Sequence, residues 1–355
     1  MKTPAPFPLQ PDGFEPVYEY SQNHRIQFCG NGRTRLVSAI LCLTGMGLVY
    51  QAVATVRDRL RHPPPGRLVD VDGCRLHLQS AGSGTPTVVL EAGLGGMSSV
   101  WAWIQPETAK FTHVVSYDRA GLGWSETDTT ATTAMRAAVR LRSLLRSVNA
   151  APPYVLVGHS MGGLFIRVFA DLFPKEVAGV VLVDASHPDQ QRRSSAIETH
   201  MRSGFRVLKG VPFLAGLGFI RLTGFFGSWA EGLPEKQAAE AETFLSSYTH
   251  LKTTRDESLA WDAVCAEVRS TRGLGSKPLA VVTAGKDVLP GQPELQGELA
   301  ALSSNSVHLA VRGADHVTLV THRQHAFSVI EAIRHVVQAW RAGRATGKHP
   351  LRTRR

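Results

Sequence analysis

Ser160 stands in the run Tyr154-Val155-Leu156-Val157-Gly158-His159-Ser160-Met161-Gly162-Gly163. A serine hydroxyl ionises too weakly to attack a carbonyl unaided, so it becomes a nucleophile only where a base can take its proton. The residues before Ser160 are apolar and few, as in a buried strand, and an apolar helical pattern follows. A tight strand-to-helix turn carrying an exposed nucleophile requires that context. Such a turn forces the serine into a strained backbone conformation. Side chains two positions before and after it would collide, so Gly158 and Gly162 fit there. The hydroxyl would project above the sheet edge, and the N-terminus of the next helix would face the developing oxyanion. A Gly-x-Ser-x-Gly match alone carries little weight, and its placement between strand and helix supplies the rest.

The base must come from one of 14 histidines. His77, His113 and His308 fall within predicted strands, and His159 lies in the turn itself. His316 follows the last apolar strand, in Arg312-Gly313-Ala314-Asp315-His316, which sets an imidazole on a loop at the strand ends; His308 and His322 are more distant rivals. Two carboxylates compete to orient it. Asp287 follows Val281-Val282-Thr283-Ala284-Gly285-Lys286, and Asp184 follows Val180–Val183, one strand earlier. Either could neutralise a histidine from a neighbouring loop. Asp287 is the expected acid, because its loop looks exposed and lies nearer His316 in strand order. Asp315 adjoins His316 in sequence, and adjacent side chains rarely aim at each other.

The glycine-rich run Leu90-Glu91-Ala92-Gly93-Leu94-Gly95-Gly96 also follows a strand. Glycines give backbone N–H groups close access to a reacting carbonyl, so the Leu94 and Met161 amides are the expected oxyanion donors. Neither GxxxxGK[ST] nor GxGxxG is present, which argues against a phosphate-cradling loop.

These residues need a scaffold. Arg67–Val71 and Cys74–Gln79 flank Asp72-Gly73, a two-residue hairpin signal. Thr87–Leu90, His113–Tyr117, Tyr154–Val157, Gly179–Val183, Leu279–Thr283 and Val307–Val311 are short, rich in Val and Leu, and apolar on both faces, as parallel strands covered by helices should be. Helix-length stretches such as Ala131–Ser147 and Leu164–Phe173 alternate with them. The pattern predicts an α/β fold, a mostly parallel sheet with helices on both faces and an antiparallel opening hairpin. Residues 186–276 break the rhythm with helical or irregular sequence and an apolar cluster at Val211–Phe226. They read as a lid inserted between two strands, its apolar cluster packing on the body, lining an acyl pocket or touching a membrane.

The net charge of +10 does not describe the folded body. Residues 341–355 carry Arg341, Arg344, Lys348, Arg352, Arg354 and Arg355 without an acid, and residues 1–61 add a further excess of cations. The body between is near neutral, so no nucleic-acid partner is expected. Leu36 to Val56 contains no charge and is long enough to cross a hydrocarbon core of roughly 30 Å. It predicts a single-pass anchor, with a cleaved export signal (Ala52-Val53-Ala54 suits cleavage) and a buried helix as alternatives. Residues 1–35 read as a flexible lead, 57–66 as a linker, 67–340 as the catalytic domain and 341–355 as a basic tail. Arginines flank the anchor on both sides, so orientation is poorly determined, with the extracytoplasmic side weakly favoured. The four cysteines, Cys29, Cys42, Cys74 and Cys265, form no CxxC pair; no metal is expected, and a Cys74–Cys265 disulfide is conceivable in an oxidising compartment.

With Gly158–Gly163, Tyr117-Asp118-Arg119-Ala120-Gly121-Leu122-Gly123-Trp124-Ser125 and Val183-Asp184-Ala185-Ser186-His187 in view, residues 67–340 resemble the α/β-hydrolase superfamily. The order nucleophile, acid, histidine is that family's order. The chain is especially similar to bacterial members with Leu-Glu-Ala-Gly-Leu-Gly-Gly where many relatives have His-Gly-x-x, a departure that keeps the backbone donor and removes a histidine. The resemblance implies hydrolysis of esters, or sometimes of amides, lactones or carbon–carbon bonds, without choosing among them, and it implies that Asp118 and Arg119 support the loop rather than react. Hydrolysis of a small-molecule or lipid ester through an acyl-enzyme without a cofactor is the expected reaction. Similar epoxide hydrolases and haloalkane dehalogenases use an aspartate where Ser160 stands. Acyl transfer with the same triad, and a silent membrane-tethered binding protein, are the alternatives.

Overall fold

The computed structural model of the protein describes Met1 and residues 32–128, 130 and 132–343. Most of the expected leader and basic tail, and Cys29, lie outside the described residues. The chain falls into two units, Met1–Leu43 and Thr44–Arg355. The described part of the first is the start of a helix, Gly32–Arg61, that runs on into the second. This helix takes in Gly32–Arg35 of the expected lead and Arg57–Arg61 of the expected linker, since neither stretch holds a proline; the next proline along the chain after Pro16 is Pro63. Residues Arg33–Arg61 are long and apolar enough to be a candidate membrane span.

The second unit is built on one eight-stranded sheet. Its strands are β1 (Arg67–Val71), β2 (Cys74–Ala81), β3 (Thr87–Glu91), β4 (Val114–Tyr117), β5 (Tyr154–His159), β6 (Val177–Val183), β7 (Leu279–Ala284) and β8 (Ser306–Val311). They lie in the order β1-β2-β4-β3-β5-β6-β7-β8. The first hairpin closes at Asp72 and Gly73, both with positive φ, the geometry that suits the twist of paired strands. β2 meets β4 antiparallel, and every later pair is parallel.

Every residue of β3, β5, β6 and β7 is buried. Alternate side chains feed two cores. Val89, Leu156, Leu182 and Val281 face one, with the helices Ala134–Ser147 and Gly162–Leu172. Val88, Val155, Val181 and Val282 face the other, under the helix Arg323–Ala342. This two-sided burial is why the strands read as continuous apolar runs. Cys74 and Cys265 are buried free thiols, so the conceivable disulfide between them does not form.

Between β6 and β7 the chain leaves the sheet and makes a helical lid. Its longer helices are Ser195–Gly216, Glu235–Phe244, Tyr248–Leu259 and Trp261–Arg269. Because it leaves from the carboxyl end of β6, it stands over the strand ends, where open parallel sheets place their ligands.

Candidate active site

Ser160 lies between β5 and the helix Gly162–Leu172, with φ of 54°. A non-glycine residue in the left-handed region is strained and is kept there by its surroundings. Those surroundings leave no space for side chains. A Cβ on Gly158 would lie 2.7 Å from the Gly163 nitrogen, and one on Gly162 would lie 2.5 Å from the Glu91 carbonyl oxygen. The glycines are therefore steric requirements of the turn.

The ring of His316 is held from β6. Its Nδ1 lies 2.6 Å from Oδ2 of Asp184, whose side chain is 2% exposed. The other carboxylate oxygen of Asp184 accepts the Ala284 N–H at 3.1 Å and a weaker bond from Gln292 Nε2 at 3.4 Å. Burial pushes the Asp184 carboxyl up, and the His316 hydrogen bond and the Ala284 amide outweigh it, so the group sits below its ordinary value. An ionised carboxylate at Nδ1 fixes the proton there and leaves Nε2 as the basic nitrogen. His159 holds the same loop: its Nε2 donates to the His316 carbonyl oxygen at 2.9 Å, and the two rings lie 4.6 Å apart. Burial and the neighbouring His316 push the His159 imidazole down to about 3, which keeps it a neutral donor.

The expected acid, Asp287, does not meet His316. Its side chain is 72% exposed and its nearest ionic partner is Lys286 Nζ at 3.7 Å. The reason lies in the loop after β7. The amides of Gly285 and Lys286 donate to Ala314 O, at 3.0 and 2.9 Å, so this backbone zips onto the histidine loop and leaves Asp287 on the outer rim. The histidine loop passes over the end of β7 and reaches β6, where Asp184 waits. Asp315 is occupied within its own turn: its Oδ1 accepts the Val317 and Thr318 N–H groups. The rival His308 bonds Thr283 Oγ1 along the sheet, and His322 bonds Thr321 Oγ1.

Ser160, His316 and Asp184 line one cavity of about 980 Å³, together with Gly93, Leu94 and the rim residue Asp287. Gly93 abuts Ser160, since a Cβ there would lie 3.0 Å from Ser160 Cβ. Among the described residues, neither the Leu94 nor the Met161 N–H is engaged in a hydrogen bond.

The loop Gly93–Gly96 is shaped by a buried ionic cluster. Arg119 donates to Glu91 Oε1, to both carboxylate oxygens of Glu257, and to the carbonyls of Ala92 and Gly93, at 2.7 to 3.0 Å. A trans peptide points its N–H opposite its C=O, so drawing the Gly93 carbonyl to Arg119 turns the Leu94 N–H the other way. Tyr117 adds a hydroxyl hydrogen bond to Glu91. Burial would lower the Arg119 pKa, but the Glu257 and Glu91 carboxylates raise it; burial pushes Glu91 up. Two of these contacts come from the lid helix Tyr248–Leu259. Glu257 also accepts the Gly95 N–H at 3.0 Å, and His250 Nε2 donates to Gly95 O at 2.9 Å while its Nδ1 accepts the Gly123 N–H at 3.0 Å. Asp118 accepts from Ser98 N, Trp124 N and His77, in the supporting role the resemblance implies. Sequence reasoning assigned no part to Glu91, His250 or Glu257. For Glu91 a signal was there, a carboxylate ending an otherwise apolar strand.

Residues 88–329, more than half of the chain, match the model of the alpha/beta hydrolase family. The chain belongs to that family. An uncharacterized protein, YqjL of Bacillus subtilis, is 34% identical over 120 residues, covering 34% of this chain and 47% of the relative. Another, C23C11.06c of Schizosaccharomyces pombe, is 27% identical over 219 residues, covering 60% and 39%. The chain thus spans about half or less of these relatives' length. Among solved structures, a provisionally assigned lipase (lip1) of Acinetobacter baumannii AYE superposes with a TM-score of 0.64 at 18% identity, covering 83% of this chain and 97% of that one. A provisionally assigned acyltransferase of Salmonella enterica gives 0.65 at 17%, covering 78% and 97%. The enol-lactonase of Burkholderia xenovorans LB400 gives 0.58 at 20%, covering 77% and 100%. At these identities the family's hydrolase fold is what is shared.

The lid clamp predicts two effects. Removing one partner of a buried ion pair costs about 3–5 kcal/mol, so Glu257→Ala should lower the unfolding free energy by that order in denaturant titration. The pH response follows from His250, which burial pushes down to about 4 although its Gly95 bond opposes the shift. An unfolded chain protonates this group near 6.5. As pH falls from about 7 towards 4 the unfolded state gains a proton that the folded state resists, so stability falls, by about 3 kcal/mol from this group. His250→Gln should flatten that part of the pH dependence in thermal melts at matched ionic strength.

Proposed function

We infer that the protein is a serine hydrolase that cleaves carboxylic esters through an acyl-enzyme, held to a membrane as a single-pass protein by its N-terminal helix. The observation that carries the reading is the buried Asp184 carboxylate on His316 Nδ1, at the rim of the cavity that contains Ser160. His316 Nε2 takes the Ser160 proton as Oγ attacks the ester carbonyl. The Leu94 and Met161 amides receive the oxyanion, and the helix beginning at Gly162 adds the positive end of its dipole. His316 then protonates the leaving alkoxide as the C–O bond breaks. Water, deprotonated by the same nitrogen, attacks the acyl-serine, and collapse of that intermediate releases the carboxylic acid and returns the proton to Ser160. Ser160 stands where a carboxylate nucleophile would serve epoxide or haloalkane chemistry, which favours acyl transfer to water.

Ser160→Ala should fold, take no fluorophosphonate label and lose p-nitrophenyl ester hydrolysis; wild-type rates in this variant would overturn the reading. Asp184→Asn should lower kcat/KM on the order of a thousand-fold or more, whereas Asp287→Asn should stay within a few-fold of wild type. Free acid should be the product even with added alcohol, since a new ester would indicate acyl transfer instead.

A further inference from the structure

Between Phe213 and Trp229 the lid exposes large apolar side chains to its surroundings. Phe213 and Leu222 are each 69% exposed, and Phe219, Phe225 and Trp229 are also exposed. Patches of large apolar side chains on a surface mark a contact. What covers this one follows from its neighbour. A Cβ on Gly47 would lie 2.5 Å from the Leu217 carbonyl oxygen, and one on Gly218 would lie 2.6 Å from the Tyr50 ring. Gln51 Nε2 donates to Ser246 O at 3.0 Å, and Arg221 pairs with Asp58 at 2.6 Å. The end of the lid helix Ser195–Gly216 and the short helix Phe219–Thr223 therefore lie along the anchor helix from Gly47 to Asp58.

Between Gly47 and Arg57, the first charge after the apolar run, the helix rises about 15 Å. If that run lies in hydrocarbon, the lid segment beside it must enter the bilayer as well, and its exposed side chains must be apolar. Phe213, Phe219 and Leu222 meet that demand. Along the lid helix the exposed charges stop at Lys209: Arg202, Arg206 and Lys209, with Val207 among them, give way to Phe213 and Leu214. That gradient suits a helix passing from headgroups into acyl chains. Phe225 and Trp229 belong both to the exposed face and to the lining of the Ser160 cavity, so the cavity wall continues into this surface.

We propose that the lid face bearing Phe213, Phe219, Leu222, Phe225 and Trp229 is sunk in the lipid bilayer beside the anchor and admits a bilayer-resident long-chain acyl ester to the cavity. The ester rests on the serine-hydrolase reading; the docking of the lid does not.

Two measurements on the full chain in phosphatidylcholine–phosphatidylglycerol vesicles test this. Bimane is attached at Leu222→Cys, and separately at Val139→Cys on the solvated helix Ala134–Ser147, with Cys29→Ala and Cys42→Ala in both proteins. At 222 the label should be quenched by acyl-chain nitroxide lipids and spared by aqueous iodide, with the reverse at 139. Iodide quenching at 222 equal to that at 139 overturns the docking, and so does protection from both quenchers, which would mean a protein cover. Phe213→Ser/Leu222→Ser, neither residue lining the cavity, should lose at least tenfold in hydrolysis of a vesicle-borne oleoyl ester and keep p-nitrophenyl butyrate hydrolysis within twofold. Equal loss on both esters, or on neither, overturns the delivery route. A wild-type protein inert to butyrate and to fluorophosphonate would sink the hydrolase reading while the bimane result still judged the surface.

Discussion

A carboxylate closed off from water must be paired, and Asp184 has its pairing from a strand end and a loop at once. One oxygen takes the backbone N–H at the end of β7 and the other takes the His316 ring. This bond determines which loops make the site. It draws the segment after β8 across the end of β7 to β6, next to the strand that carries Ser160. The desolvated carboxylate fixes the tautomer of His316, and the His159 bond to the His316 carbonyl anchors its backbone. The strained Ser160 turn and the oriented imidazole are thus products of packing at the strand ends.

The second constraint is Arg119. Its guanidinium joins the end of β3, the loop Gly93–Gly96 and the lid through Glu257. Glu91 ends β3 and Ala92 follows it, and the loop beyond takes its shape from the Arg119 cation beneath it. A buried pair of this kind is weak evidence of net stabilisation, because desolvation offsets most of the Coulomb gain. Its value is geometric. It ties the direction of the Leu94 amide, through the Gly93 carbonyl on Arg119, to Glu257 of the lid.

Much of this was legible along the chain. Apolar runs of four or five residues marked the inner strands because both faces of the sheet are covered there, whereas β8, read as covered on both faces, is a half-exposed edge strand. The hairpin at Asp72-Gly73 followed from its demand for positive φ. Ser160 and the loop glycines were legible for the same reason, since local sterics dictate residue type there. The acid was not. Asp184 and Asp287 both follow parallel strands, and choosing between them by strand order ignores how far the histidine loop reaches. The backbone bonds from Gly285 and Lys286 to Ala314 settle that reach, and side-chain patterns do not encode them. Glu257 and His250 were hidden because helix-surface polar residues look alike until the surface they meet is known. The continuation of the apolar helix through Arg61 escaped for a milder reason, as a helix outlasts its apolar pattern when no breaker intervenes.

The account stands or falls on which carboxylate holds the imidazole of His316. A proton between a buried carboxylate and Nδ1 exchanges slowly and resonates far downfield in one-dimensional proton NMR. The wild-type protein should show such a resonance, Asp287→Asn should keep it and Asp184→Asn should lose it. Loss in Asp287→Asn with retention in Asp184→Asn would contradict the geometry on which this site is built.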